Sequence, residues 1–206
     1  SGCDLTNLDL SNRDLSFVNF INANLSKTNL AFSKLSGADF TNADLTSTNF
    51  SGSKMDHSFF LNANMKGAIL ENVDLEGANL NGAVLSNSNL KKSFLANAHL
   101  TGTNLMNSDL SESDFSMATL IDVNFENSIL EKSRLTFANL TNANLKNANL
   151  EEAIIGKTNL TGVNLDGANL FNMYPWHTNF EDVVITEETK VNTCLTDSFQ
   201  GKLINK

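Results

Sequence analysis

The sequence predicts an all-β, four-sided solenoid, and three periodic features predict it. Positions 5 to 170, taken in steps of five, are all Leu, Phe, Met or Ile, without one insertion. The residue two places before each of these 34 centres is Ala, Ser, Thr or Val at 31 positions. The residue directly before the centre is Asn or Asp at 23 positions. Four pentapeptides per coil would give about 8–9 coils from these 34 repeats.

A period of five excludes the two regular elements. An α-helix turns about 100° per residue, so a five-residue repeat would spread the centres around its whole surface. A flat strand alternates faces, so an odd period would send successive centres to opposite sides. A backbone that turns a corner every five residues can bury all of them. The small residues beside the centres suit a second, crowded inward position.

A modulation of 20 residues predicts the number of sides. Ser or Thr fills 10 of 17 small positions in the columns through Thr28 and Ser33, but only 3 of 17 in the other two columns. Phe20, Phe40 and Phe60 are also 20 apart and are expected to stack. Residues 20 apart are therefore neighbours in adjacent coils, and at the spacing of paired strands the rod would be roughly 40 Å long.

Composition excludes several classes of function. The net charge of −9 argues against direct nucleic-acid binding by phosphate neutralisation. No apolar run approaches the ~20 residues of a membrane-spanning helix. Cys3 and Cys194 lie near opposite ends of the chain, so no internal disulfide is expected. His57, His99 and His177 fall on distant coils or different faces, and no nucleophile or cofactor motif occurs. We therefore predict no enzyme activity, no cofactor and no metal.

The start of the chain leaves its compartment open. It begins Ser1-Gly2-Cys3 without an initiator methionine, so whether an N-terminal targeting segment precedes it is left open. A cytoplasmic location is the default expectation. A secreted or surface-anchored bacterial effector is the alternative, because Ser-Gly-Cys also fits the end of a lipoprotein cleavage site.

Units such as ADFTN, ADLTS, ANLTN and ANLKN, at residues 38–47 and 138–147, resemble the pentapeptide-repeat proteins. The resemblance covers residues 3–172 and implies a right-handed quadrilateral β-helix. Members are mostly non-enzymatic. The best understood of them mimic DNA and bind DNA gyrase or topoisomerase IV. Relatives directed at gyrase often carry loops between coils and a dimerising C-terminal helix, and this sequence shows neither.

Outward apolar residues are the candidate protein-binding surface. The fourth face is centred on Phe20 and on every twentieth residue after it. Between residues 18 and 162 it carries only two charges. The candidates on the fourth face are Ile21, Phe59, Leu61 and Ile121, and those on the neighbouring third face are Phe17, Phe94 and Phe137. Such groups predict docking of an unidentified partner protein. Scattered surface apolar residues are the alternative interpretation.

The second face carries the candidate acidic surface, which comprises Asp109, Glu112, Glu131, Glu151 and Glu152. A topoisomerase partner is the alternative function that these acids would serve. Duplex DNA of the rod's length carries roughly two dozen charges, at about one per 1.7 Å. The chain carries only −9, so the partner-binding scaffold is the favoured prediction.

The two ends depart from the pattern. Pro175 takes a central position, yet Phe180 and Ile185 return to register, so we predict a solenoid over 3–187 and a C-terminal cap over 188–206. Trp176 or Phe199 is expected to cover the end of the rod. The first coil, with Arg13 at an inward position, is an open edge. Either a preceding segment is missing or rods meet end to end, so a monomer and an end-to-end or cap-mediated dimer remain open.

Overall fold

A computed structural model describes residues 2–191, which form a solenoid of square coils. Parallel β-bridges join residues 20 apart, from Asp4–Asn24 through Asn164–Val184. This pairing confirms the four-sided coil. Within the described residues there is no helix, and each side contributes one isolated bridge rather than a continuous strand. We number the faces in chain order: the first contains residues 3–7 and those at multiples of 20 later, the second 8–12, the third 13–17 and the fourth 18–22.

Each corner is a turn whose third residue is left-handed. The carbonyl of most centres accepts a hydrogen bond from the N–H three residues later, as in Ala23 to Phe20 at 2.9 Å. The residue between them, two after the centre, has φ between 54° and 69° at every repeat from 7 to 182. Asn and Gly hold most of these positions because they enter the left-handed region at least cost.

In a regular pentapeptide with Asn or Asp before the centre, every backbone N–H can find a partner, as residues 24–28 show. In residues 24–28, three N–H groups donate to carbonyls of adjacent coils at 2.7–2.9 Å. Thr28 N–H closes the turn on the Leu25 carbonyl at 3.0 Å. Ser26 N–H donates to Asn24 Oδ1 at 3.1 Å. The Asn or Asp before each centre therefore satisfies the one N–H that the coils cannot reach.

The centres fill the core. From Leu25 to Leu170 their side chains are 0–3% exposed. The rings of Phe20, Phe40 and Phe60 stack with centroids 5.0 and 4.9 Å apart, as the 20-residue spacing predicts. Phe50 lies edge-on to two of them at 5.9 and 6.3 Å. Neighbouring coils thus hold each other by direct apolar contact.

Buried hydroxyls at the small positions differ in whether they form a hydrogen bond. Most of them donate to the carbonyl of a centre, as Thr48 Oγ1 does to Leu25 at 2.7 Å and Ser93 Oγ to Leu90 at 2.6 Å. The hydroxyls of Ser53 and Ser133 are buried without any partner. Because an unpaired buried hydroxyl is unfavourable, identical residues in one column differ in their contribution to stability.

We expect Ser53→Ala to raise the free energy of unfolding by about 1 kcal/mol, and Ser93→Ala to lower it by about 1 kcal/mol. Both serines lie in the same column and both are 1% exposed, so each change serves as the control for the other. Equilibrium urea unfolding measures the difference. Two changes of the same sign would contradict this explanation.

The solenoid passes through Pro175 without interruption. Tyr174 pairs with Ile154, and Thr178 N–H closes the usual turn on the Pro175 carbonyl at 3.0 Å. In earlier coils the N–H of a centre donates to the following coil, as Ile155 does to Tyr174. A proline in the last coil that pairs in this way therefore removes no bond between described coils.

Pairing reaches Lys190, beyond the boundary predicted at residue 187. This last bridge joins Asn169 to Lys190, 21 residues apart, after a turn in which Thr189 N–H donates to the Thr186 carbonyl at 3.0 Å. The predicted cap therefore overlaps the described chain only at 188–191, and Cys194 and Phe199 lie outside the described residues. Cys3 is exposed, with a free thiol.

Candidate protein-binding surface

The fourth-face candidates do not form one patch. Phe59 and Leu61 flank the same buried centre and are 47% and 40% exposed. Ile21 and Ile121 are half-buried. They lie two and three coils from Leu61, or about 10 and 14 Å at the spacing of paired strands. The structure brings together only Phe59 and Leu61 on this face.

The third face holds more of the exposed apolar surface than its sequence candidates indicate. It carries 6 of the 14 large apolar side chains that are exposed within residues 2–191: Phe17, Phe94, Met117, Phe137, Tyr174 and Trp176. Phe17, at the far N-terminal end, lies against Gly37. The other five lie between residues 94 and 176. The apolar surface of the rod is therefore concentrated on the C-terminal half of this face.

Trp176 is not a cover for the end of the rod, as the sequence suggested. Its indole ring lies on Gly156 in the preceding coil, where a Cβ atom would overlap the ring. Gly156 is needed for this close approach and not for a left-handed backbone, because its φ is not positive. The 20-residue register already places residue 176 on the third face. The prediction placed Trp176 over the end of the rod, although the predicted solenoid extends past it to residue 187.

Phe137, Lys157, Tyr174 and Trp176 form what we call the aromatic ledge. The Lys157 ammonium lies 4.9 Å from the centre of the Phe137 ring and 5.6 Å from that of Trp176. Both distances suit cation–π attraction. Among residues 2–191, no carboxylate lies within 4.0 Å of Lys157. The three aromatic residues are each about half exposed, at 48% for Phe137, 56% for Tyr174 and 47% for Trp176.

The acidic candidates alternate with lysines. Glu112 lies 3.9 Å from Lys91 and 3.8 Å from Lys92, and Lys132 bonds Glu131 at 3.0 Å. The hydrogen bond that Lys132 donates to Glu131, reinforced by the nearby charge of Glu152, raises the pKa of Lys132. The second face is thus a mixed ladder of charges and not a continuous negative stripe.

The remaining acids of that set make local polar contacts. Asp109 accepts from the backbone and the hydroxyl of Ser111 at 3.0 and 2.5 Å. Glu151 Oε2 accepts from the Asn169 amide at 3.2 Å. Both side chains therefore serve the fold of the corners as well as the surface charge.

The described residues contain neither a metal-binding cluster nor a membrane-spanning helix. Among residues 2–191, no group of three or more His, Cys, Asp or Glu side chains could hold a metal ion. Over the same residues, no helix has the length and apolar character needed to cross a bilayer.

The fold and its regular corners define a repeat scaffold. Matches to the pentapeptide repeats family model extend in overlapping segments over residues 3–172. The chain belongs to the pentapeptide-repeat family. Among curated proteins, none is significantly similar in sequence.

Solved structures of the same family resemble the chain. Full-length QnrB1, a plasmid-mediated fluoroquinolone resistance protein, is 16% identical, with a TM-score of 0.60 over 97% of this chain and 96% of its own. HetL, involved in heterocyst differentiation regulation in the cyanobacterium Nostoc sp. strain PCC 7120, is 25% identical over 88% and 86%, with a TM-score of 0.40. A pentapeptide repeat protein from the Arabidopsis thaliana thylakoid lumen is 26% identical over 62% and 71%, with a TM-score of 0.26. The likeness to QnrB1 concerns the fold alone.

Proposed function

We propose that this chain is a non-catalytic scaffold that binds another protein through a side face of its rod. The observation that carries the proposal is the cluster of exposed aromatic side chains on the third face. The centres already fill the core, so these outward rings are not needed to complete it. Contiguous exposed apolar groups on a soluble protein mark interaction sites more often than chance. Tyr and Trp are also enriched among residues that dominate binding energy.

The same proposal includes two features of the rod itself. The solenoid is right-handed, as the family implies, and residues 188–206 act as its C-terminal cap. The turn at Thr186 and Thr189, which shifts the last bridge by one residue, supports a change from regular coil to cap there. A terminal cap protects the last coil from pairing with other chains.

Charge argues against the DNA-mimic alternative. The lysines at 91, 92 and 132 lie among the glutamates of the second face and pair with two of them. A mimic of duplex DNA needs a dense line of negative charge, at about one charge per 1.7 Å. This interleaved pattern fits a solvated surface better than a topoisomerase-binding one.

Site-specific photo-crosslinking tests which face binds. One exposed apolar residue on each face can carry the photoreactive group: Val84, Ile129, Phe137 and Phe59, on the first to fourth faces respectively. We expect one partner to be captured from the third face, or from the third face and an adjoining face, in an extract of the source organism. Capture from no face, or equally from all four, would contradict binding through a side face.

Changing Phe137 and Trp176 together to serine should weaken binding of the captured partner by more than about tenfold, because exposed aromatic anchors carry much of an interface's energy. The matched control changes Phe59 and Leu61 to serine, which removes two side chains of similar exposure from the neighbouring face. Surface plasmon resonance measures both. Equal weakening by the two double variants would count against the third face, and thermal unfolding checks that each rod remains folded.

A further inference from the structure

We infer that the aromatic ledge binds an acidic peptide segment that also carries a large apolar side chain. The inference rests on the proposed function and names the partner's chemistry. It starts from the shape of the third face. Small, half-buried residues run between two rows of larger ones: Ala96, Ser116 and Thr136 lie between the row of residues 94, 114 and 134 and the row of 97, 117 and 137. An apolar side chain can therefore lie along this row and meet Trp176 where the row ends.

The charge of the ledge selects an acidic ligand. Between residues 94 and 177 the third face carries two cations, Arg134 and Lys157, and one carboxylate, Asp114. It is therefore locally positive on a chain with a net charge of −9. Arg134 Nε lies 3.8 Å from Asp114 on an exposed surface, which is a weak pairing. Complementary charge at an interface fixes its register and excludes partners of the wrong sign.

Lys157 provides the point of attachment. The Phe137 and Trp176 rings lie near its ammonium, yet no carboxylate of the described part of the chain lies within ion-pair distance. A carboxylate arriving from solvent can pair with the ammonium while an adjacent apolar side chain covers a ring. A second copy of this chain is a poor occupant, because it would bring the same cations and a net charge of −9 to the contact.

Selection from a library of phage-displayed random dodecapeptides on the immobilised full-length chain tests the inference. Trp176, the chain's only tryptophan, then reports binding of each selected peptide through its fluorescence. We expect peptides rich in Asp or Glu together with Phe, Leu or Trp. The variant Lys157→Glu should weaken their binding by about tenfold or more, because an attractive charge becomes repulsive.

Lys54→Glu is the matched control. Lys54 is also exposed on the third face and, within residues 2–191, has no carboxylate within 4.0 Å and no aromatic ring against its ammonium. The control changes the net charge equally and should alter binding by less than about twofold, since charges distant from the contact are screened. Basic or uncharged peptides, no binders at all, or equal weakening by the two variants would overturn the inference. Crosslinking confined to another face would also overturn it while leaving the scaffold proposal intact.

Discussion

Replacing Phe40 by alanine should lower the free energy of unfolding by about 4 kcal/mol, within the range measured for large buried aromatic side chains. Phe40 is 0% exposed and stacks between Phe20 and Phe60, with Phe50 edge-on. Its loss opens a cavity and removes three ring contacts at once. The backbone bonds to the coils on either side restrict the collapse that could close the cavity. Urea-induced unfolding, followed by circular dichroism, measures the loss.

Phe17→Ala is the control, because it deletes the same atoms from the surface. Phe17 is 81% exposed, and its ring lies against Gly37. Its removal should change the free energy of unfolding by less than about 0.5 kcal/mol, as is usual for surface substitutions. Similar losses from the two variants would show that the stack of rings contributes nothing beyond an ordinary Phe.

The five-residue repeat and its 20-residue modulation were enough to predict the four-sided coil. Both are direct consequences of packing, since each centre must be large and apolar and the residue two places before it must be small. The position of the Phe stack follows from the same register. The hydrogen bonds of individual buried side chains are harder to predict from the sequence. Ser53 and Ser93 are the same residue in the same column, yet only Ser93 has a hydrogen-bond partner, because side-chain rotation decides the outcome.

The candidate surface was predicted only in part for a different reason. Phe94 and Phe137 stand out in the sequence as apolar residues at outward positions. Tyr174 and Trp176 occupy the same face, but Tyr174 was not among the candidates and Trp176 was expected to cover the end of the rod. The structure shows that the last coil accommodates this proline. The N–H of a centre donates to the following coil, and no described coil follows Pro175 at this position. Lys157 carries no sequence signal at all, since its role depends on two rings 20 and 19 residues away.

The repeat constrains where function can lie. Inward positions are fixed by packing, and the residue before each centre is committed to its corner where it is Asn or Asp. Only the two turn residues, and those bridge positions without Asn or Asp, are free to vary. Phe137, Lys157 and Trp176 are turn residues, and Tyr174 is such a bridge position. The ledge therefore uses the positions that the fold leaves available.

Ala98→Leu should be the second most damaging change, with a loss of about 3 kcal/mol in the free energy of unfolding, at the upper end of the usual cost of overpacking a core. Ala98 is 0% exposed and is aligned with Ala78 and Ala118 in the adjacent coils. A larger side chain at this position must displace its neighbours or push the coils apart, and the inter-coil hydrogen bonds resist both.

Ala96→Leu is the matched control for this change, because it makes the same substitution two residues earlier at a half-buried turn position. It should alter the free energy of unfolding by less than about 0.5 kcal/mol, since its extra atoms can extend into solvent. Urea unfolding of both variants decides the point. If Ala98→Leu were tolerated as well as Ala96→Leu, the small residue two places before each centre would reflect something other than crowding. The physical basis for the five-residue pattern would then lie in the turns alone.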